Sequence, residues 1–355
     1  VLVATSGLDG VVVAETELSH VDGERGELWL RGWRVEDLAA QGSFEVVLAL
    51  LWHGDTARAP EVADALGAAR VRMSERVSLV TGLDGVASMR AALAPLEGAA
   101  PLELVAAAGE VFVAWSCRAA GRVDPGPDPS LPHADDLVRR LRGSVDPARA
   151  RAFAAYLATV ADHGMNASTF TARVVASTGS DDTSAVVAAL GALKGPLHGG
   201  APGPVLDMLD AISEPSAARS WLARELAEGR RIMGMGHRIY RVRDPRVAVL
   251  ESALATLRAA GVDSPRWALA RVVEAEATQL LAEKQPTRPL RANVEFATAV
   301  LLEVVGVDRA AFTAAFAVGR VAGWLAHTEE QRRTGRLLRP QSRYVGPVPS
   351  GVTAS

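Results

Sequence analysis

Lysine is almost missing from this sequence. Of its 38 basic residues only Lys194 and Lys284 are lysines, and the rest are arginines. With abundant Ala, Gly and Val, this reads as a coding bias, so an arginine cluster is weak ground for a binding site by itself. Cysteine is as scarce. Cys117 stands alone, which excludes an internal disulfide and fits a cytoplasmic home. No apolar run reaches the roughly 18 residues of a membrane span, so no membrane partner is expected. The opening VLVATSGLDG has no basic stretch and does not read as a signal peptide. HExxH, CxxC, a Walker loop and a strand followed by GxGxxG are all missing. No metal, P-loop or dinucleotide cofactor is therefore predicted. A net charge of -3 argues against a nucleic-acid partner.

What is present is an ordinary globular balance, 49% hydrophobic and 22% charged over 355 residues, enough for one large domain or two. GVVVAETELSHVDG followed by GELWLRG suggests a small N-terminal β-hairpin. After it the chain is mainly α. FEVVLALLWHG, PEVADALGAARVRM, LELVAAAGEVFVAWSCRAAG and RARAFAAYLATVADHG carry apolar residues at three- and four-residue spacing, and several end at Gly. Residues 121 to 136, GRVDPGPDPSLPHADD, predict a surface loop. GPLHGGAPGP, residues 195 to 204, predicts a hinge-like joint between a helix ending near Leu193 and one starting near Val205.

Three of the seven histidines have unusual neighbours. His198 in PLHGG precedes a predicted helix, whose N-terminal partial charge would keep an imidazole neutral and able to donate to an enolate-like oxygen. From this fragment alone, simple packing in a turn is the favoured explanation. His237 in GMGHRIYRVRDPR is followed by Arg238, Arg241, Arg243 and Arg246. Glycines admit a ligand close to the backbone, and arginines grip carboxylates and phosphates, although a solvated basic face has the same composition. His163 falls between two helices. His20, His53, His133 and His327 lack such surroundings. Arg320, in an apolar helix, needs an anionic partner, either a protein carboxylate or a ligand. Arg339 in LLRPQSRYVGP says little singly. Glu295 is the only acid in RPLRANVEFATAV, either on the wet side of a helix or aimed into a pocket.

Taken together, LKGPLHGGAPGPVLDML, IMGMGHRIYRVRDPR, NVEF and GRVAGWLAHTEEQ…RPQSRYVGP resemble the citrate synthase family in order and spacing, nearly end to end. The resemblance implies a mainly helical two-domain fold in a homodimer. Residues 1–197 and 306–355 would form the large domain, and 198–305 a small domain closing over the site. A counterpart of the extra N-terminal domain of longer, NADH-regulated forms is not expected. The implied chemistry condenses acetyl-CoA, a substrate and not a cofactor, with oxaloacetate and hydrolyses citryl-CoA to citrate and CoA. By the same resemblance His198 would hold the thioester oxygen, and His237 would polarise the oxaloacetate carbonyl. His163, Arg246 and Arg320 would grip oxaloacetate, with Arg339 reaching in from the partner subunit, and Arg241 would lie near the CoA phosphates. The family's base is an aspartate in NVD. Here it is Glu295, one methylene longer, as in a branch similar to this chain down to HGMNASTFTARV. A 2-methylcitrate synthase using propionyl-CoA, a citryl-CoA lyase run in reverse, a catalytically weakened oxaloacetate or CoA sensor and a ligand-free helical scaffold are the alternatives.

Overall fold

The structure is a computed structural model that describes residues 6–8, 10–199, 202–236, 239–285 and 290–347. Its only sheet among these residues is small and antiparallel: β1 Ser19–Asp22, β2 Glu27–Leu30 and β3 Trp33–Arg34, in the order β1-β2-β3. The expected hairpin is there, but its first strand is shorter than the apolar stretch before it. Instead Glu17 N–H donates to Glu330 at 2.8 Å, tying that stretch to the far end of the chain. The rest is helical. First come α1 Val35–Ala40, α2 Phe44–His53, α3 Ala59–Arg76, α4 Gly85–Leu93 and α5 Pro101–Ala119. Then follow α6 His133–Arg142, α7 Pro147–Val160, α8 Ala167–Ser177, α9 Asp182–Leu193 and α10 Pro202–Ile212. The last five are α11 Ala218–Ala227, α12 Pro245–Ala259, α13 Pro265–Lys284, α14 Val294–Val305 and α15 Phe312–Thr334.

Local chemistry sets these boundaries. Asp84, Asp146, Asn166, Asp181, Asp244 and Asn293 each accept a backbone N–H at the start of α4, α7, α8, α9, α12 and α14. Such a cap is worth about 1 kcal/mol. Proline opens α3, α5, α7, α12 and α13, where its missing N–H costs nothing. Left-handed glycines, Gly54, Gly143 and Gly306, close α2, α6 and α14.

The loop predicted over residues 121 to 136 ends earlier, because Pro132 opens α6 and buries His133 and Asp136 inside it. Residues 121–132 are exposed or half-buried, so the segment does run on the surface, but it is pinned there. Arg70 donates to Asp128 O and Leu131 O at 2.8 and 2.6 Å, and Arg140 bridges Asp124 and Glu110. A joint does follow α9 at Leu193, and α10 begins at Pro202, three residues before the expected Val205.

Helix α15 forms the centre. It is buried on nearly every side from Phe312 to Gln331 and packs against α2, α4, α5, α7, α8 and α9. A helix apolar all round can only be surrounded by others. Gly319 and Gly323 let it approach α7 backbone to backbone. A Cβ at those positions would lie 2.6 Å from the Val160 side chain and 2.2 Å from Ala161 O. Helices α10 to α14 pack on one another, and α12 and α14 also reach α7. Helix α7 is thus where both groups of helices meet.

Candidate active site

Where α7 stops, the chain turns through Asp162 and His163 and starts α8. Asn166 makes that turn definite: its Oδ1 accepts Ser168 N–H and Thr169 N–H, both at 3.1 Å, and lies 2.8 Å from the Ser168 hydroxyl oxygen. His163 is buried. Its Nε2 lies 3.0 Å from the Tyr240 hydroxyl, with the rings edge to face.

Ser168 supports a second histidine. His198 Nε2 lies 2.8 Å from Ser168 Oγ, and Trp324 Nε1–H donates to the same oxygen at 3.1 Å. A hydroxyl has one proton to give. If Ser168 gives it to His198 Nε2, the imidazole carries its own proton on Nδ1 and can donate from there. Asn166 Oδ1, already holding two backbone N–H groups, is satisfied without it. Burial first, and then the nearby Arg320 cation, push the His198 pKa down to about 4. The neutral imidazole expected from the sequence is therefore present for another reason. His198 sits in the turn after α9, with its N–H on Gly195 O, and not at the first turn of α10.

Glu295 lies in the first turn of α14, half-buried, and so not on a wet helix face. Asn293 holds this turn in place. Its Oδ1 accepts Glu295 N–H at 3.0 Å, its own N–H donates to Gly234 O, and its amide nitrogen donates to Gly236 O at 2.9 Å. The GMG turn before His237 is thereby stitched to the helix that carries Glu295. Gly234 has φ +74°, and a Cβ there would fall 2.8 Å from Phe296 Cβ. Burial raises the Glu295 pKa to about 7, Asp244 adds to the rise, and Arg246 and Arg320 oppose it.

The two arginines are buried and differently held. Arg246, in the first turn of α12, faces the helix's own cap, with Nε and Nη2 on the two Asp244 oxygens at 3.0 and 2.7 Å. Arg320 on α15 donates from Nε to Val160 O at 2.5 Å and lies 4.7 Å above the Phe316 ring. Its burial lowers its pKa to about 10, against the pull of Asp162, so it stays a cation at neutral pH. Asp162, two residues beyond the carbonyl that Arg320 holds, is the main anion acting on it, but among the described residues no carboxylate lies within 4 Å of the guanidinium.

The structure thus gathers His163, His198, Arg246, Glu295 and Arg320 around the ends of α7, α12 and α14. His237 and Arg238 lie outside the described residues. Arg241 is exposed. Its N–H donates to Gly23 O at 2.8 Å, and its side chain is 3.9 Å from Glu24, so the β1–β2 turn docks on this segment. Arg339 is exposed in the extended stretch after α15 and does not join the site of its own chain. A groove of about 430 Å³ between α1, α7 and α12, lined by Glu36, Ala39, Arg151, Ala152 and Ser252 among others, contains none of these residues.

The family model described as "Citrate synthase, C-terminal domain" matches residues 7–341. This chain belongs to the citrate synthase family. It is an enzyme of the citrate synthase type. A provisionally assigned citrate synthase 2 of Mycobacterium tuberculosis is 40% identical over 359 residues, covering 97% of this chain and 93% of that protein. A 2-methylcitrate synthase of the same organism is 39% identical over 365 residues, 96% of this chain and 90% of its own length. Among solved structures, the ternary complex of carboxymethyl coenzyme A and oxaloacetate with the Thermoplasma acidophilum citrate synthase is similar. It has a TM-score of 0.86 and 26% identity, covering 98% of this chain and 97% of that one.

Several residues of this candidate site escape sequence reasoning. Ser168 meets both His198 and Trp324, and the charge of Asp162 acts on Arg320. His327, dismissed for its surroundings, binds Asp162 through Nε2 at 3.1 Å while Nδ1 accepts from Arg173 at 3.0 Å. A usable signal existed. Arg320, Trp324 and His327 repeat at four and three residues, which places all three on one face of α15. Asn166 followed two residues later by Ser is a helix-start signature.

Proposed function

We propose that this enzyme condenses acetyl-CoA with oxaloacetate and hydrolyses the resulting citryl-CoA to citrate and CoA. The observation that carries the reading is the arrangement around Arg320: His198, held on Ser168, and Glu295, in the first turn of α14 with Arg246 nearby, both lie within reach of its charge. A thioester methyl group is a weak acid. Removing its proton needs a base poised near the working pH together with a donor to the enol oxygen. In this reading Glu295 takes the proton, His198 donates to the thioester oxygen, and His237 polarises the keto carbonyl. Oxaloacetate is a dianion, and His163, Arg246 and Arg320 would hold it. The small domain, residues 198–305, would close over both substrates and keep water out until hydrolysis. Arg241 would meet the CoA phosphates, and Arg339 would enter the site of a second subunit.

The test is thiol release from acetyl-CoA in the presence of oxaloacetate, run beside propionyl-CoA. Rapid release from acetyl-CoA supports the reading. The similarity to a 2-methylcitrate synthase supports a second reading with the same steps, and preferential release from propionyl-CoA would select it. Release from neither, in a protein that still binds oxaloacetate, would leave a sensor.

The shared site has its own test. Arg339→Ala is expected to raise KM for oxaloacetate about tenfold or more, the loss of one charge-assisted contact. Mixing the Arg339→Ala and Glu295→Gln proteins should regenerate activity, because one site of the mixed dimer would be intact. No recovery on mixing means that Arg339 does not act across subunits.

A further inference from the structure

His327 is fully buried on α15 and has been given no role. Both of its ring nitrogens are bonded. Arg173 donates from Nε to Nδ1 at 3.0 Å, and a guanidinium can only donate. Nδ1 therefore carries no proton, and the ring proton sits on Nε2. Nε2 lies 3.1 and 3.2 Å from the two oxygens of Asp162, so that N–H is given to the carboxylate. Arg173 is itself held by Glu330 and by Gln331 Oε1, the latter at 3.0 Å. A buried chain of side chains thus ends on Asp162, which is fully enclosed and would be costly there without a donor. Asp162 is the residue before His163, and α15 grips this turn at three points. Arg320 holds Val160 O, His327 holds Asp162 and Trp324 holds Ser168. The approach is close: a Cβ on Gly323 would fall 3.1 Å from Asp162 Cβ.

We propose that His327 is a positioning residue: its Nε2–H holds the Asp162 carboxylate and so fixes the turn that presents His163 to oxaloacetate. This rests on the reading of His163 as a ligand of that substrate. Of the three grips, only this one ends on the residue covalently next to His163. The ring of His163 is fixed from the other side, its Nε2 lying 3.0 Å from the Tyr240 hydroxyl. A backbone shift at Asp162 would pull the imidazole out of that geometry, and a misplacement of about an ångström is enough to weaken a contact with a bound substrate. Arg173 supplies what a lone imidazole and carboxylate lack. By occupying Nδ1 it leaves a single tautomer, so a donor always faces Asp162.

His327→Gln and His327→Asn separate reach from polarity. The glutamine amide nitrogen sits near the place of imidazole Nε2 and can still donate to Asp162, whereas that of asparagine stops near Nδ1 and cannot. His327→Asn is expected to raise the Kd for oxaloacetate, measured by calorimetry, and its KM about tenfold, with kcat within about threefold. His327→Gln should bring Kd and KM back to within about threefold of the wild type. Equal losses in the two variants would reduce His327 to packing, and a loss confined to kcat would place its effect elsewhere; either overturns the proposal. A measurement on the unaltered protein needs no variant of His327 to fold. The chain has seven histidines, so ¹⁵N-histidine NMR can resolve their tautomers. The ring of His327 should show a protonated Nε2 and a bare Nδ1, and a proton on Nδ1 refutes the chain of hydrogen bonds. The His163 signals, assigned through His163→Ala, should move in His327→Asn without substrate and return in His327→Gln. Signals that stay in place refute the positioning. His163→Ala also tests the substrate reading: if it leaves oxaloacetate binding unchanged while the His163 signals follow His327, that reading falls and the positioning stands.

Discussion

Glu295→Gln is expected to lower kcat for condensation by about 10²–10⁴-fold, the usual contribution of a positioned general base. Glutamine keeps the shape and the helix turn but cannot accept the proton. Oxaloacetate binding, followed by calorimetry, should survive, since Arg246, Arg320 and His163 are untouched. Undiminished turnover would remove Glu295 from the mechanism. Glu295→Asp then separates two histories of the site. A slower Asp variant means that the wall has been refitted around the longer acid, and a faster one means that the native base is badly placed.

The same substitution has a stability signature with a definite sign. The Glu295 pKa of about 7 in the folded chain lies above the ordinary 4.5. A raised carboxyl pKa favours folding fully below pH 4.5, and that contribution is lost as the pH rises through 7. The buried anion then costs about 3 kcal/mol at pH 8, at about 1.4 kcal/mol per pKa unit. Glu295→Gln should therefore melt above the wild type at pH 8 and close to it at pH 4.5. The kcat of the wild type should rise through the same range, because only the ionised acid can act. His198 adds no titration there, as its pKa has been pushed down to about 4.

The second large effect is expected at His198. Its replacement by Ala should reduce kcat by about 10²–10³-fold, the cost of losing one donor to a developing oxyanion. KM for oxaloacetate should change little, since the donor serves the other substrate. Ser168→Ala probes how that donor is prepared. Without the hydroxyl, Trp324 Nε1–H loses its acceptor and the imidazole loses what fixes its tautomer, so a loss of about tenfold is expected with His198 still in place. If His198→Ala retains full kcat, the thioester oxygen is held by something else.

Most of the fold was open to sequence reasoning because its signals are local. Apolar spacing, proline at first turns and Gly after last turns depend on neighbours within a few residues. Apolar spacing finds α2, α3, α5 and α7, but of these only α2 is closed by its glycine, and α7 stops at Val160, four residues before Gly164. The errors occur where a local rule met a tertiary one. The loop before α6 does run on the surface, but it ends at Pro132 and not at residue 136, and Arg70 pins it through Leu131, 61 residues away.

By itself the sequence determined the helical class, the caps, and the order of motifs that carries membership of the citrate synthase family. It also supplied the residue types, three histidines, an acid and a set of arginines. What each of these groups can do was decided only in three dimensions. The Glu295 pKa is raised toward neutrality because α14 buries it near Asp244, and His198 is neutral because it is half-buried near Arg320. Ser168 meets Trp324 across 156 residues, and Arg173 meets His327 across 154. Burial and electrostatic pairing act through space, and a chain that folds back on itself brings together charges that no local pattern links.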